Sequence, residues 1–229
     1  MTRYILLITL LSTLLTQAQE TGEDKLGSWH AYFGTNKIAE RWSWHTEVQL
    51  RYYEQAKTFN QSVLRTGINY HINPEAFLTL GYTNVITDGS FLELPNEENV
   101  VEHHIFEQFI LKNQVWKLDF EHRYRQEQRF IDFGDGNDTR HILRYRLRIS
   151  APLGKLLYLN LFEEIFLNFH EDVFNQNWSY AAIGVKVTDN LSAEVGYINI
   201  NTPNSNFDRL SVAVFYNPDL RGLFKKNVE

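Results

Sequence analysis

The chain has 229 residues, a net charge of −6 and no cysteine, and 14% of its residues are aromatic. The absence of cysteine excludes a disulfide framework, a thiolate metal site and a cysteine nucleophile. The acidic balance argues against a nucleic-acid partner, because nucleic-acid-binding domains are usually basic, and no residue pattern indicates a cofactor.

The first nineteen residues, "MTRYILLITLLSTLLTQAQ", are organised like a secretory signal peptide. Arg3 is followed by an apolar run from Tyr4 to Leu15, and the small residues near Ala18 suit a cleavage site. That run is too short to span a bilayer, and no later stretch has about twenty consecutive apolar residues. We therefore predict a cleaved signal peptide at residues 1–19 and a single mature domain at residues 20–229.

Polar and apolar residues alternate with a period of two along most of the mature chain. From Val115 to Phe130 the even positions are mainly apolar or aromatic, and the odd positions are mainly charged. Such alternation indicates strands with two different faces, since successive side chains point to opposite sides. The predicted strands are, in chain order, Arg41–Tyr52, Asn60–Ile72, Ala76–Thr87, Val100–Lys112, Val115–Phe130, Arg140–Ile149, Leu156–Phe169, Phe174–Thr188, Leu191–Asn201 and Phe207–Asn217. A shorter candidate, Ser28–Gly34, is a partial strand, a plug segment or part of a larger strand set.

These strands are long, and the links between them alternate in length. Strands of soluble proteins average about five or six residues, whereas a tilted strand needs about nine to eleven to cross a bilayer. Short links near Asn73, Asn113, Pro152 and Asp189 alternate with longer links at Gln55–Phe59, Asp88–Asn99, Ile131–Thr139 and Thr202–Asn206. This alternation is typical of an outer-membrane barrel. We predict an all-β, antiparallel, up-and-down transmembrane β-barrel with about ten to twelve strands, ten being favoured.

The two faces predict which side chains meet outer-membrane lipid and which face the lumen. Aromatic residues near the strand ends are expected to form two interfacial girdles. The girdle candidates are Trp42, Trp44 and Trp116 at one end and Tyr52, Tyr124 and Phe130 toward the other. The charged face should form an ion-pair network that largely blocks the lumen, because unpaired charges are costly in a narrow barrel. The network candidates are Arg51, Arg65, Arg123, Arg125, Arg129, Arg144, Arg146, Arg148, Glu47, Glu102, Glu121, Glu127, Glu164 and Glu194.

Several motifs in combination resemble those of a known family. They are "GSWHAYFG", "LRTGINY", "LGYT", "EHHIFEQ" from Glu102, "RYRQEQRF" from Arg123, "RYRLRISAPL" from Arg144 and "EIFLNF" from Glu164. The chain resembles the domain of unknown function 2490 family, outer-membrane proteins of Gram-negative bacteria, over nearly all of its mature length. The resemblance implies a barrel in the bacterial outer membrane and supplies no reaction. Trp178 departs from the family pattern, which usually has an arginine after "FNQN".

A charged lumen favours a narrow, porin-like channel for a small solute. A non-conducting barrel with a structural or surface-interaction role is the first alternative. An enzyme that modifies lipid or lipopolysaccharide is disfavoured, because His122, His141 and Ser62 have no evident nucleophile and base at paired positions. A soluble periplasmic barrel or sandwich that binds a ligand is the last alternative.

One loop suggests a metal. The stretch "DFGDGND" combines glycines with oxygen-bearing side chains, as calcium-binding loops do. Asp132, Asp135 and Asp138 are therefore candidate calcium ligands, although their spacing differs from that of an EF-hand.

Overall fold

In a computed structural model, residues 22–92, 98–169 and 172–224 are described, and they form a closed barrel of eleven strands with one short helix. The strands are β1 Gly27–Lys37, β2 Trp42–Glu54, β3 Lys57–His71, β4 Ala76–Thr87, β5 Val100–Val115, β6 Leu118–Asp132, β7 Asn137–Pro152, β8 Leu157–Asn168, β9 Phe174–Lys186, β10 Leu191–Asn201 and β11 Asn206–Tyr216. The helix α1 is Arg221–Phe224. The predicted signal peptide at residues 1–19 lies outside the described residues. Among the described helices, none is long and apolar enough to cross a membrane.

Strands that are consecutive in the chain are neighbours in the barrel, and every such pair is antiparallel. This arrangement confirms the predicted all-β, up-and-down barrel. The strand beyond the favoured ten is β1, which contains the shorter candidate Ser28–Gly34. That segment is therefore a complete strand of the wall rather than a plug or a partial strand.

The barrel closes between β1 and β11, the one parallel pair among the described strands. The register of this pair runs from Gly27 opposite Arg209 to Gly34 opposite Tyr216. In an up-and-down sheet with an odd number of strands, the first and last run in the same direction, so closure requires a parallel ladder. Closure leaves no unpaired strand edge in the wall.

The two ends of the barrel are formed by different links. We call one the loop end, formed by residues 55–56, 88–92, 98–99, 133–136, 169, 172–173 and 202–205. The other is the turn end, formed by residues 38–41, 72–75, 116–117, 153–156 and 187–190. The longer link predicted at Gln55–Phe59 is wrong, because β2 and β3 stay paired up to Glu54 and Lys57. Ala56 has a φ of 55° in the resulting two-residue turn, a left-handed conformation that tight hairpins require.

Burial alternates along the strands. On β6, Arg123, Arg125 and Glu127 are buried inside the barrel, whereas Tyr124 between them is 46% exposed on the outside. Most large exposed side chains on the outer wall are apolar, including Leu64, Leu80, Ile183 and Val195. An apolar outside around a polar inside is the arrangement of a transmembrane barrel rather than of a soluble one.

The segment after β11 continues alongside β1 at the turn end. Lys37 donates its backbone N–H to the carbonyl of Pro218 at 2.9 Å, and Leu220 donates to the carbonyl of Lys37 at 2.8 Å. The side chain of Arg221 donates to Asp219 and lowers the pKa of this exposed carboxyl to about 2. The β1–β11 seam is therefore extended beyond the last strand by backbone hydrogen bonds.

Close packing of the lumen side of β4 yields a stability prediction. Gly81 lies opposite Gly67 and Phe106, and a Cβ atom at Gly81 would meet the Phe106 ring and come within 2.6 Å of the carbonyl oxygen of Thr66. We expect Gly81→Ala to lower the free energy of unfolding by about 1–3 kcal/mol, as overpacking does. The measurement is urea unfolding in detergent, with Gly136→Ala as control because a Cβ there has no atom within 4 Å. Equal stability of the two variants would contradict this packing.

Candidate functional site

A belt of charged residues crosses the middle of the lumen, and we call it the waist. Its residues project inward from β2, β3, β6, β7 and β8, and each is at most 8% exposed. The waist consists of Glu47, Arg65, Arg123, Arg125, Glu127, Arg144 and Glu164.

Glu127 and Glu164 are the centres of the waist. Glu127 accepts hydrogen bonds from Arg144 Nη1 at 2.7 Å and from Arg129 Nη2 at 2.5 Å. Glu164 accepts from Arg123 Nη2 at 2.6 Å and from Arg144 Nε at 2.8 Å. Arg144 thus bridges both carboxylates. Because each buried carboxylate has several charge-assisted hydrogen bonds, much of its desolvation cost is offset.

The waist continues to β2 and toward the turn end. Glu47 forms an ion pair with Arg65, whose Nε donates to Thr83 Oγ1 at 2.8 Å. Toward the turn end, Arg146 Nη2 donates to Glu121 at 2.7 Å. Nine of the fourteen predicted network residues are therefore hydrogen-bonded to an opposite charge within the predicted set, namely Arg65, Arg123, Arg129, Arg144, Arg146, Glu47, Glu121, Glu127 and Glu164. Arg125 lies 3.6 Å from Glu127 as an ion pair and donates its hydrogen bonds to Gln108.

The other predicted network residues have different surroundings. Glu194 accepts hydrogen bonds from the neutral groups of Tyr158, Asn160 and Tyr180 at 2.9–3.0 Å. Glu102 contacts His104 Nε2 at 2.8 Å and lies 4.0 Å from Arg129. Arg51 and Arg148 form no ion pair with a carboxylate in the described residues. The lumen therefore contains arginines whose charge is not directly paired.

Sequence reasoning missed an inward arginine on β11. Arg209 is 3% exposed and donates to the backbone carbonyls of Lys25 at 3.2 Å and Asp208 at 3.0 Å. It shares the inward parity of Phe207 and Ser211, so the period of two could have identified it. The period of two could likewise have identified His104, which is also buried and points inward from β5.

Trp178 takes the position where the resemblance led us to expect an arginine. It lies on β9 opposite Glu164. Its ring centroid is 5.0 Å from that of Trp29, and 5.3 Å from the guanidinium carbons of both Arg51 and Arg144. An aromatic face therefore contacts two cations here, a favourable arrangement for the π-system.

Two kinds of space flank the waist. Toward the loop end lies a cavity of about 260 Å³, which we call the loop chamber. Its charged and aromatic wall includes Trp29, Arg51, His104, Arg129, Trp178 and Arg209. Beside the waist itself only about 70 Å³ remains, enough for a few water molecules at about 30 Å³ each. At the turn end, recesses of about 650 and 520 Å³ lie around Arg41 and around Tyr158.

The three tryptophans predicted as a girdle lie at the turn end. Trp42 and Trp44 point outward from the first residues of β2 and are about half exposed. Trp116 lies in the turn between β5 and β6 and is almost fully exposed. These positions suit side chains that meet a membrane interface.

The other girdle candidates divide between two levels. Tyr52 and Phe130 lie toward the loop end of β2 and β6. Tyr124 lies at the middle of β6, where its ring packs 5.0 Å from Tyr145. Its assignment to the loop-end girdle is corrected accordingly, because β6 runs from Leu118 to Asp132 and Tyr124 is near the midpoint of that span.

The acidic stretch at the β6–β7 hairpin has local hydrogen-bond partners. Asp132 accepts the backbone N–H of Gly134 at 2.9 Å, and Asp138 accepts Arg140 Nε at 2.7 Å. Within the described ranges, no three His, Asp or Glu side chains converge so that they could hold a metal ion. Asp132, Asp135 and Asp138 therefore do not converge through their side chains in this arrangement, and the calcium site stays a prediction.

The residues weighed as an enzyme site are on separate strands. Ser62 is on β3, opposite Leu50 of β2 and Ile86 of β4. His122 is on β6, and its Nδ1 lies 2.9 Å from the hydroxyl of Tyr145. Neither paired position of Ser62 holds a base.

The waist yields a prediction about charge burial. Glu127→Gln would leave Arg144 and Arg129 without their shared carboxylate at a buried position. We expect the variant to lose about 3–5 kcal/mol of unfolding free energy, the usual cost of breaking a buried pair. The measurement is urea unfolding in detergent, with Glu107→Gln as the matched control because Glu107 is exposed on the outer wall beside Gln128. A loss no larger than that of the control would contradict the role of Glu127.

Comparisons with known proteins agree with this geometry. A solved structure described as "NanC porin structure in rhombohedral crystal form" is similar to the barrel with a TM-score of 0.50 and 9% sequence identity, covering 83% of this chain and 98% of that chain. At that identity the likeness shows the fold alone. No curated protein matches the chain. A family model described as "Protein of unknown function (DUF2490)" matches residues 26–211, so the chain belongs to this family, as its motifs indicated.

Proposed function

We propose that the protein is a narrow outer-membrane channel for small solutes, with a preference for anions. The observation that carries the proposal is the charge of the lumen, in which nine inward arginines outnumber six inward glutamates. The arginines are Arg51, Arg65, Arg123, Arg125, Arg129, Arg144, Arg146, Arg148 and Arg209, and the glutamates are Glu47, Glu102, Glu121, Glu127, Glu164 and Glu194. Rings of one charge sign in a confined pore select ions of the opposite sign.

The spaces along the barrel axis support transport over a purely structural role. A barrel needed only as a membrane anchor could fill its interior with apolar side chains. This lumen instead has a charged loop chamber, a narrow charged waist and wide recesses at the turn end. An apolar cluster around Trp29, Phe166 and Trp178 lies beside these charges, so a solute in the lumen would meet both charged and apolar side chains.

The orientation follows from the links and the outer wall. Short turns of bacterial barrels face the periplasm and longer loops face outward. The turn end would therefore face the periplasm, and the link 88–99 would lie outside the cell. The apolar outer wall would contact outer-membrane lipid after export by the cleaved signal peptide.

One observation favours a second candidate, a barrel that does not conduct. Glu127 and Arg125 are 0% and 2% exposed, so little free space remains at the level of the waist. In that case the charged interior would hold the strands together, and the loop end would mediate surface interactions.

Electrical recording separates these candidates. In planar bilayers with a salt gradient, we expect discrete conductance steps whose reversal potential shows anion preference. Arg125→Ala removes the largest of the almost fully buried side chains and should increase the step size. Silent membranes with folded protein would support the non-conducting barrel, and cation preference would contradict the proposed role of the arginines.

Fractionation tests the location. The mature protein should sediment with outer membranes, require detergent for release and migrate differently on a denaturing gel before and after heating, because closed barrels resist unfolding by detergent. Release in a detergent-free periplasmic extract would instead favour the soluble binder.

A further inference from the structure

Two arginines of the loop chamber have only neutral partners. Arg51 donates Nε and Nη2 to Gln49 Oε1 at 3.1 and 2.7 Å, and donates Nη1 to Gln61. Arg209 donates to two backbone carbonyls. Neither forms an ion pair with a carboxylate among residues 22–92, 98–169 and 172–224. The wall also contains the carboxylate Glu102, which contacts His104 and lies 4.0 Å from Arg129, so the positive charges of Arg51 and Arg209 are not directly paired.

Two buried ring nitrogens of the same wall make no hydrogen bond. Trp29 Nε1 has no partner although the side chain is only 7% exposed, and His104 Nδ1 has none although that side chain is 4% exposed. A buried polar atom without a protein partner is costly, so each nitrogen is available to a water molecule or a ligand in the chamber. The indole nitrogen can only donate, which suits an oxyanion.

Aromatic rings hold these arginines in place. The guanidinium carbon of Arg51 lies 3.8 Å from the ring centroid of Trp29, and that of Arg209 lies 4.8 Å from the ring centroid of Phe207. Stacking leaves the edge of a guanidinium, with its N–H donors, available to a carboxylate or phosphate. The rings also provide an apolar surface for the carbon skeleton of a ligand.

From these contacts we infer that the loop chamber is a binding site for a small organic anion, with Arg51, Arg209 and Trp29 Nε1 as donors to its oxyanion. The chamber volume of about 260 Å³ limits the ligand to a compact molecule. The inference deepens the proposed channel function and rests on it, since the site would concentrate the solute before it passes the waist. The waist itself is a poorer site, because Arg123 and Arg144 are already hydrogen-bonded to Glu127 and Glu164 and only about 70 Å³ of space remains there.

Calorimetric titration of the folded, detergent-solubilised mature protein tests the site. The probes are cyclohexanecarboxylate, its neutral isostere cyclohexanecarboxamide and cyclohexyl phosphate. We expect the carboxylate to bind at least about tenfold more tightly than the carboxamide, the usual scale of a charged hydrogen bond. Equal affinity of acid and amide would overturn the inference. The phosphate arm identifies the oxyanion: tighter binding than the carboxylate would assign the site to organic phosphates, and weaker binding to carboxylates.

Variants locate the binding. Arg51→Gln and Arg209→Gln should each weaken carboxylate binding about tenfold or more. Arg140→Gln removes the same charge beside Asp138 at the loop end, outside the chamber wall, and should leave affinity unchanged. Neither chamber substitution strands a carboxylate, so both proteins should fold, and heat-modifiable migration checks this. If all three substitutions weaken carboxylate binding equally, the site is overturned, because the anion is then attracted by positive charge in general and not by Arg51 and Arg209.

The same experiment separates this inference from the channel proposal. If anion binding depends on Arg51 but the protein gives no conductance in planar bilayers, the binding site is supported and the channel proposal is contradicted. If the protein conducts anions but binds neither oxyanion probe selectively, the channel proposal is supported and the binding site is contradicted.

Discussion

The structure depends on the pairing of buried arginines with two glutamates, Glu127 and Glu164. Between β6 and β7, Arg125 lies directly opposite Arg144, and Arg123 lies directly opposite Arg146. Like charges at opposed positions destabilise a sheet, and burial away from water increases the cost. The opposed arginines are tolerated because two glutamates compensate their charge. Glu127 contacts Arg144 diagonally across the β6–β7 ladder, and Glu164 contacts it from β8. The register of β6, β7 and β8 therefore places these glutamates beside the arginines, and the resulting ion pairs stabilise that register.

Charge compensation is uneven along the barrel axis. At the waist, Glu127 and Glu164 each contact two or more arginines and Glu47 contacts Arg65, so the charges are largely satisfied within the protein. In the loop chamber, Arg51 and Arg209 have amide and carbonyl partners only. Satisfied charges stabilise the wall, whereas unsatisfied charges are available to a solute. The same residue type thus has a structural role at one level and a proposed binding role at another.

The sequence predicted the strands well and their connections less well. Alternation identified the two faces of β2, β6 and β7 because side-chain direction in a strand depends only on the local backbone. It underestimated β1, since glycine, serine and histidine dilute the contrast of "GSWHAYFG". It misjudged the link after Glu54, because polar residues at the end of a hairpin resemble those of a loop. Loop composition likewise does not specify where carboxylates point, and Asp132 and Asp138 accept hydrogen bonds from local donors.

By itself the sequence determined that the chain forms long two-faced strands with an apolar outside and a charged inside, because a period of two is a local property. The tertiary structure decided that eleven strands close through a parallel β1–β11 ladder, and which arginine meets which glutamate. Those outcomes depend on strand number and register around the whole barrel, and contacts such as Arg123 with Glu164 join residues far apart in the chain. Arg51 and Arg209 likewise become members of one chamber only when the first and last strands meet.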